Sequence, residues 1–443
     1  MATAVGHIVK LAPEASYGVA PCGFPSGSPW WLGGRWQLAM PTEYPTFQDR
    51  QEVIFPKGGT EERMAHRVQP VVGRRWSEGV LTAPFSLELG ELLFVGLLGN
   101  AQLAQTITAQ TSLLENEPIN TAPKNFVLAA QPTVGQRLRF EIKGTGNPGT
   151  LGVSGIDVYG NAVSELISFP SGGLFYSRNS YRTVGDSSLA VSGITNGTLT
   201  AIGFGRFNHT ISGIALPVTL SIEQAGTPDT GSAASAFIHT GVIVEELTLH
   251  NDAEAPDGLL TITAQLEGRF STTCPIVTET PTFSGSFLRP WPAWALQVKR
   301  ADSDWNKVAS MDLSFRTENA NYRPTADGQL PQEAFAGPVT VEGDLGILVD
   351  NDDERGRWLG ASITKLEFNW SAPWKLRDAV QETMILSLAS AFHETYELGE
   401  QDGQYRLNSH IRAVINTASN NTNDLVINFG GGIPSTAFGG NEI

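Results

Sequence analysis

The chain has 443 residues, with Lys and Arg totalling 29, Asp and Glu totalling 45, and a formal net charge of −16. The length fits two or three domains, and the acidic balance argues against a reader of duplex DNA, which needs basic side chains to displace counterions. Only 17% of residues are charged, against roughly 25% in ordinary soluble domains, so part of the surface is expected to be hidden against other chains. The 41% apolar content excludes wholesale disorder, and 47 glycines with 26 prolines disfavour a helical bundle.

The first residues, Met1-Ala2-Thr3-Ala4-Val5, lack the basic and apolar regions of a signal peptide. Cys22 and Cys274 cannot build a disulfide framework. Both features lead to the expectation of a protein made in a cytoplasm. The segment 41–75 reads as a long polar loop, with Lys57-Gly58-Gly59 and Arg74-Arg75 beside Glu61-Glu62; loops of this length in compact domains are usually functional or disordered, so a functional contact and a mobile surface loop both stay open. A helix is predicted over 87–98, stopping at Gly99-Asn100. Its apolar run contains Glu91 and is too short to span a bilayer.

Residues 118–213 read as short strands separated by glycine turns, which suggests a self-contained β-sandwich inserted into the chain. Asp157-Val158-Tyr159-Gly160-Asn161 is predicted to join the hairpin strands 151–158 and 162–169. Segments 191–193 and 197–202 look like a second hairpin. Alternating strands are predicted at 138–143, 218–223, 242–250, 259–266, 296–299, 311–315, 364–369 and 425–429. A second helix is predicted over 378–394 from Val380, Met384, Leu388 and Phe392 at fourfold spacing. The two flanking parts resemble each other: a strand opening at Gly79 leads to Leu97-Leu98-Gly99, and one opening at Gly337 leads to Trp358-Leu359-Gly360.

Chemical motifs are weak. Gly144-Thr145-Gly146-Asn147-Pro148-Gly149 matches GxGxxG by letter, but a strand follows where a phosphate-binding helix would have to start, so a hairpin loop is expected. Asp350-Asn351-Asp352-Asp353-Glu354 resembles a calcium loop, yet the required glycine and glutamate positions hold Arg355 and Ala361; a solvated acidic turn is expected. The seven histidines show no zinc spacing, and there is no GxSxG elbow. Catalytic, cofactor and metal residues are therefore none. Trp30, Trp31, Trp36, Trp291, Trp294 and Trp305 lie in Pro/Gly-rich contexts that suit core packing, interface anchoring or sugar stacking.

A family resemblance comes from Lys10-Leu11-Ala12-Pro13-Glu14-Ala15-Ser16-Tyr17-Gly18-Val19-Ala20-Pro21, which resembles the opening of tail tube (major tail) proteins of long-tailed bacteriophages. Residues 79–99, with Gly79, Leu87, Leu92, Leu97 and Gly99, resemble that family's most recognisable segment. Segments 216–226, 285–287 and 338–344, with Gly337, Val341 and Gly343, resemble its later parts. The resemblance covers 1–115 and 215–395. It implies a mostly β fold of two tail-tube-type sandwich or barrel halves (1–115 and 215–443, the latter with a C-terminal hairpin and tail), with few short helices and an inserted Ig-like sandwich (116–214).

The function implied is that of a structural virion protein, not an enzyme, which polymerises into stacked rings and conducts DNA. The implied partners are further copies of itself in trimeric, pseudo-hexameric rings (a plain hexamer being the alternative), the tape-measure protein, the tail terminator and distal tail or baseplate proteins. DNA would pass without specific binding; no membrane and no cofactor are implied. Candidate inter-ring residues are Phe55, Lys57, Glu61, Glu62, Arg63, Arg74 and Arg75, helped by the N-terminal segment or by residues 430–443. The acidic balance leads to an expected negative lumen that repels phosphates. Two other readings stay open: a secreted carbohydrate-binding β-sandwich protein, and a β-fold glycoside hydrolase whose carboxylate pair the sequence does not mark.

Overall fold

The computed structural model describes residues 9–14, 37–39, 47–54, 71–99, 103–108, 111–119, 124–126, 128–132, 136–144, 149–157, 162–169, 173–185, 189–193, 197–204, 206–212, 217–225, 235–255, 258–275, 290–318, 320–322, 333–335, 337–349, 353–375, 381–401, 404–414 and 424–430. The protein is mostly β, built from large antiparallel sheets with two α-helices among the described residues. The first part holds β1 (Val9–Pro13), β2 (Gln37–Ala39), β3 (Phe47–Ile54), β4 (Val71–Pro84), α1 (Leu87–Leu98) and β5 (Leu103–Thr108). Next come β6 (Thr111–Ile119), β7 (Lys124–Phe126), β8 (Gln136–Gly144), β9 (Gly149–Asp157), β10 (Ala162–Phe169), β11 (Gly173–Val184), β12 (Leu189–Ser192) and β13 (Gly197–Phe204). The chain returns through β14 (Arg206–Ser212), β15 (Leu220–Ala225), β16 (Ser235–Asp252), β17 (Thr261–Gly268) and β18 (Thr272–Pro275). Then follow β19 (Leu296–Arg300), β20 (Ser303–Asp304), β21 (Val308–Thr317), β22 (Ala320–Tyr322), β23 (Glu333–Phe335), β24 (Val339–Leu348) and α2 (Asp353–Leu359). Last are β25 (Thr364–Lys375), β26 (Gln381–His393), β27 (Glu397–Gln401), β28 (Gln404–Ala413) and β29 (Leu425–Gly430).

One antiparallel path of eight strands organises the larger body, in the order β3-β4-β17-β16-β21-β24-β28-β27. Its two halves repeat one topology. In each, the wall strands lie in the order first, second, fourth, third along the chain, and a helix follows the second strand. The halves meet where β16 pairs with β21, from Glu246↔Arg316 to Asp252↔Ser310. A second layer, β20-β19-β25-β26-β29-β14-β5, packs over this wall. The N-terminal part of β16 also pairs with β15 and β18, and β1 joins β15 to β2.

Helix α1 forms where the sequence expected it. Ser86 caps it by accepting a hydrogen bond from the Leu89 amide, and Gly99 closes it at φ 84, a region that favours glycine. All its apolar side chains are buried, the mark of a helix packed on every side. It lies between the layers: the Phe94 ring meets Phe315 of β21 at 5.1 Å and Phe429 of β29 at 6.0 Å.

Residues 111–204 form a separate eight-stranded sheet with its own core, including Leu138, Phe140, Leu151, Tyr181 and Leu199. β14, at the end of the stretch read as an insertion, pairs with β5 and β29 of the larger body.

Several sequence expectations are corrected. The helix expected over 378–394 is a strand where the residues are described: β26 occupies Gln381–His393, with Glu382, Met384, Leu386 and Leu388 buried in alternation. Fourfold spacing is a multiple of the strand period, so it fits a strand equally well. Segments 191–193 and 197–202 are not a hairpin: β12 pairs with β7 and β9, whereas β13 pairs with β6 and β8. Residues 145–148 of the GxGxxG segment lie outside the described residues, but the flanking strands do not make a hairpin: among the described residues β8 and β9 are not paired with each other, and β11 pairs with both. Of the acidic stretch 350–354, Asp350, Asn351 and Asp352 lie outside the described residues, and the remainder is not a solvated turn. Asp353 and Glu354 open α2, and the buried Glu354 carboxylate accepts a 2.6 Å hydrogen bond from Arg300. The hairpin of β9 and β10 forms as expected, Ile156 opposite Ala162.

Candidate functional site

The surface built from the eight-strand path has two parts, an open face and two open edges. Strand alternation sends one set of side chains into the core, such as Leu81, Ile262, Leu247, Leu313, Val341 and Ile411, and the other set outward. On the outward face Thr82 meets Thr263 at 3.1 Å, and Ser314 donates to Glu246 at 2.7 Å. The carboxylates there include Glu78, Glu246, Glu267, Asp312, Glu342 and Asp344, and they outnumber the guanidinium groups of Arg50, Arg74, Arg316, Arg406 and Arg412. Asp312 and Asp344 are register partners on adjacent strands. Like charges so placed repel, and each is answered on its far side by a histidine, His250 on Asp312 and His410 on Asp344, the latter at 2.9 Å.

At one margin of this face a β-bulge in β16 lies between Val244 and Glu246. Burial, reinforced by the neighbouring Glu267 carboxylate, pushes the Glu245 carboxyl up to about 7. Behind the wall, His239 is buried with Nδ1 2.9 Å from Ser77 Oγ and Nε2 3.2 Å from the Gln224 amide. Burial pulls its pKa down to about 4 against the opposing pull of Asp49. The Gln224 amide also accepts from the Phe47 backbone N–H and donates to the Phe47 carbonyl, which anchors the start of β3.

The edges are β3 and β27. Among the described residues each has a paired strand on one side only. Such edges present unpaired backbone donors and acceptors, ready for another strand. Residues 48–53 of β3 and 397–399 of β27 are exposed, although the Asp49 side chain turns in to Ser77 and Ser271.

The residues singled out in the sequence scatter. Phe55, Lys57, Glu61, Glu62 and Arg63 lie outside the described residues, as do Tyr17, Gly18 and Pro21. The supposed loop 41–75 is not all loop, since Phe47–Ile54 and the start of β4 are paired strands. Arg74 is on the open face, whereas Arg75 turns the other way, over the Phe270 ring at 5.6 Å. Glu14 clamps three segments: its carboxylate accepts from Thr219 Oγ1 at 2.9 Å, Ser221 Oγ at 2.7 Å and the Gly241 amide at 2.8 Å. Gly79 lies in β4, Leu87, Leu92 and Leu97 are buried in α1, and Val341 is buried in β24. A Cβ on Gly337 would stand 2.3 Å from the Glu318 backbone, and one on Gly343 would stand 2.1 Å from the Asp312 carbonyl oxygen. Trp291 and Trp305 are core residues; Trp294 is exposed. Sequence reasoning missed both edges, because the short polar β27 carries no periodic apolar signal.

Among the described residues no group of three or more His, Cys, Asp or Glu is placed to hold a metal ion. No described helix is long and apolar enough to cross a membrane.

No family model matches the chain, and no curated protein does. Among solved structures, a mutant Hcp1 protein from the E. coli EAEC 042 pathovar is similar over 27% of this chain and 84% of that chain, at 12% identity and a TM-score of 0.18. A likeness at this level fixes neither fold nor function.

Proposed function

We propose that this chain is a structural, non-enzymatic subunit that assembles with further copies of itself into stacked rings, as a tail tube protein of a long-tailed bacteriophage does. The observation that carries the reading is the repeated half. Inside the chain, the last wall strand of the first half, β16, pairs antiparallel with the first wall strand of the second half, β21. The last wall strand of the second half is β27, and the first of the first half is β3; both are open edges among the described residues. Eight strands in alternating directions leave β3 and β27 antiparallel to each other. A rotation about a ring axis therefore sets β27 of one copy beside β3 of the next in the pairing that β16 and β21 already use.

The stagger supports closure. β3 lies level with Val71–Gly79 of β4, whereas β27 lies level with positions beyond Pro84. A drift of roughly a dozen residues across eight strands corresponds to a strand tilt of about 45°, close to that of closed barrels. Three copies would close a barrel of 24 strands with pseudo-sixfold symmetry, since eight strands and two halves come from each.

In this reading the open face is the channel wall. Its excess of carboxylates keeps phosphates from sticking, so DNA passes without specific binding. The tape-measure protein, tail terminator and distal tail or baseplate proteins would be the remaining partners, and the virion tail the location.

Electron microscopy and native mass measurement of the concentrated protein test the reading. Rings of three chains with a central channel, stacking into tubes, are expected. Rings of six chains would replace the trimer. A protein that stays monomeric at every concentration would overturn the function itself.

A further inference from the structure

The two helices hold equivalent places in the two halves, yet only one is covered. α1 follows the second wall strand of its half, and every apolar side chain on it is buried. It owes part of that burial to the next half, through Phe94 against Phe315 of β21. α2 follows the second wall strand of the second half and lies against β26 near the β27 edge. Trp358 Nε1 donates to the Glu394 carbonyl at 3.2 Å, and its ring stacks on Tyr396 at 5.7 Å. Within one chain there is no next half to cover it. Around it Leu359 is 66% exposed, Ile363 63%, Leu398 of β27 53% and Tyr405 of β28 62%.

We infer that the exposed apolar side chains Leu359 and Ile363 at the end of α2, with Leu398 and Tyr405 at the β27 edge, dock on the first half of a second copy of this chain, on the flank of its β3 and β4. This rests on the ring reading and assigns it a second contact besides strand pairing. The internal symmetry names the occupant: what β21 does for α1, β3 of the neighbouring copy does for α2. Continuity supports it, since Leu398 is on the edge strand itself and Tyr396 immediately precedes that strand. Area supports it as well. A five-residue edge strand pairs over too little surface for a stable contact, which needs about 1,000 Å² or more, and an exposed apolar patch beside the edge supplies the difference.

The test uses the full chain with Leu359→Lys and Ile363→Lys together, with Trp294→Lys as control. Trp294 is 67% exposed and lies on the short turn Ala293–Ala295, which contacts β16 and β25, neither of them an edge strand of the wall. All three sites are on the surface, so thermal unfolding should match the parent. The paired substitution is expected to raise the concentration at which rings form at least tenfold, with the control unchanged. A photo-cross-linking amino acid at Leu359 should capture residues 47–84 of a second copy. Rings that form normally in the paired variant, or cross-links confined to one chain, would overturn this docking and leave the ring reading standing. A parent protein that forms no rings would overturn the ring reading, and the docking with it.

Discussion

Phe94 and Phe315 meet edge to face, ring centroids 5.1 Å apart and planes 84° from parallel. One belongs to the helix of the first half and the other to the first wall strand of the second, so this contact ties the two halves into one body. Truncating either to Ala should cost about 3–5 kcal/mol, the usual range for a buried phenylalanine. A double-mutant cycle read by chemical denaturation should show about 0.5–1.5 kcal/mol of coupling between them. Strictly additive losses would mean that the rings do not sense each other.

Gly343 is required by space, not by turn geometry. Its missing Cβ would lie 2.1 Å from the backbone oxygen of Asp312, which cannot move without breaking the β21–β24 ladder. At Gly96 of α1 the nearest atom is Val244 Cγ2 at 2.9 Å, the end of a side chain. Gly96→Ala should therefore cost about 1–3 kcal/mol as ordinary overpacking. Gly343→Ala should cost more than that, or prevent folding. Equal losses in urea titrations would contradict the distinction.

The inserted sheet should be removable. Thr108 of β5 and Arg206 of β14 are register partners, so the chain leaves the larger body and returns to it at adjacent positions. Replacing residues 109–205 by a short Gly/Ser turn should convert β5 and β14 into a plain hairpin and leave ring assembly intact. Loss of the folded larger body in this variant, seen by circular dichroism, would show that the insertion is structural.

His239 should make the fold acid-sensitive. Its pKa is depressed from 6.5 to about 4 in the folded state, so between those values the unfolded chain binds the extra proton and the folded chain does not. The stability present above pH 6.5 is then lost as pH falls towards 4, by roughly 3 kcal/mol in total. Denaturation midpoints measured from pH 7 to pH 4 should fall more steeply in the parent than in His239→Gln. Parallel curves would refute the assignment.

Glu245 should act in the opposite direction. Its carboxyl is raised from 4.5 to about 7, so the folded state holds a proton that the unfolded chain has released. Its contribution is full below pH 4.5 and is lost as pH rises through 7. Glu245→Gln keeps the neutral form at every pH and should stabilise the protein above pH 7, with little effect at pH 4. A variant less stable than the parent at pH 8 would show that the charged carboxylate is wanted there.

Much of the local structure was legible in the sequence. The helix over 87–98 and its stop at Gly99 were read correctly, whereas its Ser86 cap and the burial of all its apolar side chains came from the structure. The β9–β10 hairpin followed from its turn residues. The repeat was visible in the two segments that open at Gly79 and Gly337 and close at Gly99 and Gly360. β26 was misread because residues four apart share a face in a strand as they nearly do in a helix. The role of Glu14, with three donors from segments more than 200 residues away, has no local signature at all.

What the sequence determined by itself was the class of protein: turn chemistry, alternation and low charge act over a few residues and point to β-structure with surface to hide. What the tertiary structure decided was which strands pair. Pairing depends on the backbone groups of segments far apart in the chain, and every strand offers the same donors and acceptors. Only the three-dimensional path shows that β16 finds β21, that β3 and β27 have one neighbour each among the described residues, and that α2 lies uncovered where α1 does not. The open edges and the bare helix face follow from one physical fact. A repeated unit whose join lies inside the chain has, at its two ends, the same join unmade.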